Sequence, residues 1–185
     1  MIRLPDGERR QEIEKRANAY LDRGAGECPL RRPELAKIVE ESLLHHDGER
    51  YRLLEWVVMP NHVHVLVEPS GTNLLGTILQ SWKGFTAKEI NRVLERTGAF
   101  WAREYYDRFI RDDNHYGNVK GYIHRNPVKA GLCSTPDAWP FSSAARAVSE
   151  RPSAGWNAGG PGEVSEGLRG RRALLTAWGR VSEGG

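Results

Sequence analysis

The sequence predicts an α+β domain, an antiparallel sheet backed by helices. Three observations predict it. Two runs rich in valine and other apolar residues, 51–59 and 62–68, are separated by Pro60-Asn61, a pair that suits a tight turn and not a central strand. A long stretch follows in which Leu75, Ile78, Leu79, Trp82, Phe85, Ile90, Val93 and Leu94 fall on one helical stripe. A short aromatic run, 105–110, then reads as a third strand carrying Arg108 toward the hairpin with Arg111 just beyond it, ahead of a second helical pattern.

In chain order, residues 6–22 are dense in charge, with Ile13, Ala17, Tyr20 and Leu21 at helical spacing and Gly24 placed to stop an amphipathic helix. Pro33 suits the first turn of the next helix, whose Leu35, Ile38, Val39, Leu43 and Leu44 share one side and whose end is marked by His45, His46 and Asp47. Two histidines in a last turn are explained by the helix dipole without a metal. Thr72 or Asn73 is expected to cap the long helix, and its aromatics are expected in the core. Lys83 and Lys88 lie off the stripe, where they can meet phosphates or water. Asp112 or Asp113 should cap the helix holding Tyr122, and Pro127 should end it with Asn126 in the last turn. Trp139-Pro-Phe-Ser-Ser is expected to pack back on the domain. The domain is therefore placed at residues 1–148, followed by a flexible Gly/Ala/Ser-rich tail at 149–185, with weak helical spacing over 168–178 suggesting a loosely docked helix.

A length of 185 residues suits one such domain, and 39% hydrophobic with 28% charged residues is an ordinary globular composition. A formal charge of +3 and a pI near 9.0 hint at a polyanionic partner without deciding it. Cys28 and Cys133 stand far apart, outside any Cys-x-x-Cys pair, so they read as reduced thiols and not as a zinc site or disulfide framework. No apolar run approaches the roughly 18 residues of a spanning helix, and the N-terminus has charge where a signal peptide needs an apolar core. A cytoplasmic protein with no membrane partner is expected.

The chemistry centres on Met59-Pro-Asn-His-Val-His64. Two residues apart in a strand, His62 and His64 point to the same face and can share a metal ion, although two imidazoles on a half-solvated sheet would look the same. Tyr122 and Asn126, four apart in a helix, also share a face, although tyrosine is often a core residue with a wet tip. Together the two stretches offer two imidazoles and a carboxamide to a divalent ion, with a phenol beside it. Such a set can hold a phosphate and attack it.

These motifs, with Ser81-Trp-Lys-Gly-Phe-Thr-Ala87, Phe100-Trp101, Tyr106-Asp-Arg-Phe-Ile-Arg111 and Tyr122-Ile-His-Arg-Asn-Pro-Val-Lys-Ala-Gly131, resemble in order the REP-associated tyrosine transposases, members of the HUH single-tyrosine nucleases. The match runs from about Tyr20 to Phe141. The resemblance implies a ferredoxin-like sheet with the tyrosine on an added helix, His62, His64 and Asn126 as ligands of Mg²⁺ or Mn²⁺, and Tyr122 as nucleophile. It further implies cleavage and rejoining of single-stranded, hairpin or repeat DNA through a 5′-phosphotyrosine, with no nucleotide cofactor. Monomer and homodimer both remain open. The rival readings are a nucleic-acid-binding module without chemistry and an inactive, truncated remnant. The second arises because relatives carry a strand ahead of the Leu-Pro found here at Leu4-Pro5, so a bare sheet edge and weak folding are expected unless another segment, such as 168–178, takes that place.

Overall fold

The tight turn at Pro60-Asn61 joins β1 (Tyr51–Val58) to β2 (Val63–Pro69), which pair antiparallel from Tyr51 opposite Pro69 to Val58 opposite Val63. The computed structural model describes residues 21–22, 26–103, 105–149 and 173–176. Most of the expected N-terminal helix and the expected flexible stretch at 151–162 lie outside the described residues. Among the described residues, α1 (Pro33–Leu44), α2 (Leu75–Val93) and α3 (Asp113–Lys129) accompany the hairpin and the short α4 (Ser143–Ser149) follows. Two further strands, β3 (Tyr106–Phe109) and β4 (Ala173–Thr176), complete a sheet of order β1-β2-β4-β3. This is the α+β class expected from the sequence.

The sheet separates two apolar clusters. Val63, Val65 and Val67 face one side of β2 and pack with Leu35, Val39 and Leu43 of α1 and Ile78, Leu79 and Trp82 of α2. Leu66 faces the other side, with Val57, Met59 and Ile110 and with Val119 and Ile123 of α3. The period-two alternation of a strand thus sends β2's odd residues to one helical layer and its even residues, His64 included, toward α3. In β1 a bulge interrupts the register between Leu53 and Glu55. Its effect is that Leu54, packed in the α3-side cluster, and Glu55, bonded to α3, both face that helix.

The segment expected as a loosely docked helix supplies a strand instead. β4 pairs antiparallel with β2, His64 opposite Thr176, and with β3, Tyr106 opposite Thr176. It fills the place beside the hairpin where a bare edge was expected. It also sets β3 one strand farther from the hairpin than the sequence suggested.

Three other differences have local causes. Helix α2 begins at Leu75 after an N-cap Leu74 with no side-chain cap bond; Asn73 donates instead to the Ser70 carbonyl at 2.7 Å, closing the preceding turn. Within α2, Trp82 is buried and donates to the Tyr51 hydroxyl at 2.9 Å, whereas Phe85 is 53% exposed, at the edge of a stripe too wide for one buried face. Finally, α3 runs through Pro127 to Lys129. Near a helix end a proline costs one backbone bond, and here the end is fixed beyond it. Gly131, at φ 69°, donates to the Val128 carbonyl and Leu132 to that of Pro127, the paired bonds of a Schellman cap. At its other end α3 is capped as expected, Asp112 accepting from the His115 N–H at 2.8 Å. The Trp139 indole donates to the Val58 carbonyl at 2.9 Å and Val58 N–H to that of Phe141, so this segment does pack back on β1.

Candidate metal and nucleophile site

The turn that makes the hairpin also builds the site. Asn61 donates its Nδ2 to the Leu21 carbonyl at 3.1 Å, which fixes the amide and turns its Oδ1 to His62 Nδ1, 2.7 Å away. That oxygen can only accept, so His62 carries its proton on Nδ1 and presents the lone pair of Nε2 to the site. Burial, and next the neighbouring His64, push the His62 pKa down to about 4, so the ring is neutral at ordinary pH and fit to be a ligand.

His62 Nε2 lies 2.9 Å from His64 Nε2, and Asp22 Oδ1 lies 3.3 Å from each. Among the described residues, these three are a group able to hold a metal ion. Adjacent ligands around one divalent ion with bonds of about 2.1 Å stand roughly 3.0 to 3.4 Å apart, so the three edges fit one cation. Asn126, brought to the same point by α3, donates Nδ2 to Asp22 Oδ1 at 3.0 Å, while its own Oδ1 is buried without a hydrogen-bond partner. A buried carbonyl oxygen left in this way gains a partner by turning to a cation. Burial alone would raise the Asp22 carboxyl, but the adjoining His62 and His64 imidazoles and the Asn126 amide outweigh it and hold the group well below the usual carboxylate range.

Tyr122 completes the cluster. Its hydroxyl donates to Asp22 Oδ2 at 2.8 Å and stands 3.4 Å from His64 Nε2, with its ring edge-on to the His64 imidazole at 5.1 Å between centroids. Lys129 Nζ lies 5.5 Å from the Tyr122 ring centroid. A groove of about 330 Å³ opens beside these groups, lined by Asp22, Arg31, Asn61 and Lys129 among others.

All four residues singled out from the sequence, His62, His64, Tyr122 and Asn126, are thus brought together. Asp22 and Asn61 were not foreseen. Asp22 gave one signal: a carboxylate in the last turn of a predicted helix opposes the helix dipole, which calls for a compensating partner. His46, by contrast, lies 3.2 Å from Glu49 in an exposed pair at the end of α1 and does not join the site.

A family model described as IS200-like transposase matches residues 31–126, more than half of the chain. The chain belongs to the IS200-like transposase family. Within this IS200-like chain, the match includes the His62-Val-His64 motif, Tyr122 and Asn126, while Asp22 lies outside it. A Haemophilus influenzae protein provisionally named a REP-associated tyrosine transposase is 29% identical over 101 residues, covering 49% of this chain and 57% of that one. A second, uncharacterised H. influenzae protein is 28% identical over 102 residues, covering 42% and 54%. The chain therefore spans just over half the length of these relatives. The solved structure of a REP-associated tyrosine transposase bound to a REP hairpin superposes with a TM-score of 0.54 at 23% identity, covering 66% of this chain and 72% of that one, which shows a shared fold.

The tie from Asn61 gives a first prediction for this IS200-like site. Asn61→Ala should weaken Mn²⁺ binding about 10- to 100-fold, because the His62 tautomer and the Leu21 anchor are lost together. Calorimetric titration of Mn²⁺, with hairpin DNA present, measures it. An affinity within twofold of the parent would mean that Asn61 does not orient the ligand.

Proposed function

We propose that the protein is a metal-dependent transposase that cleaves and rejoins single-stranded or hairpin DNA through a covalent 5′-phosphotyrosine at Tyr122, acting in the cytoplasm. The observation that carries this reading is the meeting of the Tyr122 hydroxyl with the His62–His64–Asp22 cluster, with Asn126 one helical turn farther along α3. His62, His64, Asp22 and Asn126 would hold Mg²⁺ or Mn²⁺. Bound there, the ion would draw a non-bridging phosphate oxygen and offset its charge.

The rest is work for the side chains. Tyr122 Oη forms the new bond to phosphorus, and the bond from phosphorus to the 3′-oxygen breaks, leaving a 3′-hydroxyl. The phenolic proton, which points to Asp22 Oδ2 at 2.8 Å, leaves the phenol as the new bond forms, and the departing 3′-oxygen takes up a proton from solvent. Arg31 and Lys129 on the adjoining groove supply cations for the strand's phosphates. Since a phosphotyrosine keeps the diester's energy, resealing by the returning 3′-hydroxyl requires no nucleotide cofactor. The hairpin named with the structural neighbour makes a REP-type hairpin the substrate to try first.

The test is one incubation of the protein with labelled hairpin DNA and Mn²⁺, resolved on a denaturing protein gel. A labelled band at the mass of protein plus DNA, absent with chelator, is the expected result. Tight DNA binding with no metal-dependent adduct would favour the binding-module reading.

A further inference from the structure

A second cluster of ionisable groups lies away from the metal site, and it grips the same helix. Glu55 in β1 is 5% exposed. Its Oε1 accepts from Lys120 Nζ at 2.6 Å, and its Oε2 accepts from His124 Nε2 at 2.6 Å and from Ser143 Oγ at 2.8 Å. Ser143 Oγ in turn accepts from the Trp56 N–H at 3.1 Å, tying α4 to the same point of β1. Although His124 Nε2 is also 3.3 Å from Ser143 Oγ, a single ring nitrogen faces both oxygens, so no proton relay from serine through imidazole to carboxylate is formed.

A buried carboxylate is a costly way to gain stability, since apolar side chains of similar size often do as well or better. Its value here is directional. At 100° per residue, Lys120 and His124 lie on one flank of α3 and Tyr122 and Asn126 on the other, with the buried ridge of Val119 and Ile123 between them. An apolar ridge on a sheet lets a helix roll. A charge-assisted clasp on one flank stops the roll and so fixes how far the opposite flank leans toward His62 and His64. The bulge in β1 adds to this grip, because it lets Leu54 as well as Glu55 face α3.

We infer that Glu55, through Lys120 and His124, is a positioning residue that sets the rotation of α3 and thereby the placement of the Tyr122 hydroxyl at the metal site. This rests on the reading of Tyr122 as nucleophile. The experiment compares Glu55→Gln and His124→Gln with Thr86→Ala, a buried change on the opposite side of the sheet that removes the bond from the Trp101 indole. Each is measured for melting temperature, hairpin affinity and the rate of adduct formation at saturating hairpin DNA and Mn²⁺.

Glu55→Gln and His124→Gln should slow the adduct at least about 10-fold with hairpin Kd within about twofold, as expected for a displaced reacting group, whereas Thr86→Ala should lower the melting temperature and leave the rate unchanged. Should Glu55→Gln fail to fold, Lys120→Gln, whose side chain is 46% exposed, carries the same comparison. Slowing no greater than that of Thr86→Ala, at equal distance below each melting temperature, overturns the inference. Absence of adduct from the parent protein would instead overturn the function it rests on.

Discussion

Tyr122→Phe should give no detectable covalent adduct with labelled hairpin DNA, while hairpin affinity stays within a few-fold of the parent. The substitution removes the one atom that would form the new bond in the proposed reaction and leaves the ring on its shelf against His64, 5.1 Å between centroids. What is lost besides chemistry is the hydrogen bond to Asp22 at 2.8 Å, worth about 0.5–1.5 kcal/mol net, so folding should survive. Asp22 keeps its bond from Asn126 and its imidazole neighbours, so the ligand cluster has no reason to collapse. The comparison needs a denaturing gel and a binding isotherm on the same preparation. An undiminished adduct would sink Tyr122 as nucleophile and send the search to Tyr105, Tyr106 and Tyr116.

Ending the chain after Ser149 should have the largest effect on stability. That cut removes β4, which makes four residue pairs with β2 and four with β3. An antiparallel ladder carries about one hydrogen bond per pair, so roughly eight bonds at about 0.5–1.5 kcal/mol each are at stake, against a typical total of roughly 5–15 kcal/mol. Among the described strands β3 pairs with β4 alone, so it would leave the sheet altogether. We expect the shortened protein to melt at least about 10 °C lower or to lose its cooperative transition, and to aggregate through the uncovered edge of β2. Size-exclusion chromatography and melting curves of the two chains decide it; equal behaviour would mean that the sheet stands without β4.

What could be read from the sequence was whatever depends on near neighbours. The two-residue spacing of His62 and His64, the four-residue spacing of Tyr122 and Asn126, the turn at Pro60-Asn61 and the Asp112 cap each follow from local periodicity or local bonding, and each stands as read. Pro127 was misjudged because the terminator that mattered, Gly131 with its two cap bonds, lay a turn later. Asp22 escaped because nothing near it in sequence names its partners, which are contributed by a strand some 40 residues on and a helix some 100 residues on. β4 escaped for a different reason. Four residues are too few to show a period of two, and their pairing is decided by an open slot elsewhere in the fold.

The strand order β1-β2-β4-β3 also sets a timetable. His64 and Thr176 are paired although more than a hundred positions separate them, and among the described strands β3 joins the hairpin through β4. On a ribosome, the hairpin and α1 to α3 emerge early and can pack through neighbouring contacts, but the sheet stays split until residue 176 has left the exit tunnel. Until then the strand bearing His64 keeps one edge open to any other extended chain. A nascent polypeptide of this kind should depend on holding chaperones late in synthesis, and it should gain resistance to protease in a single late step.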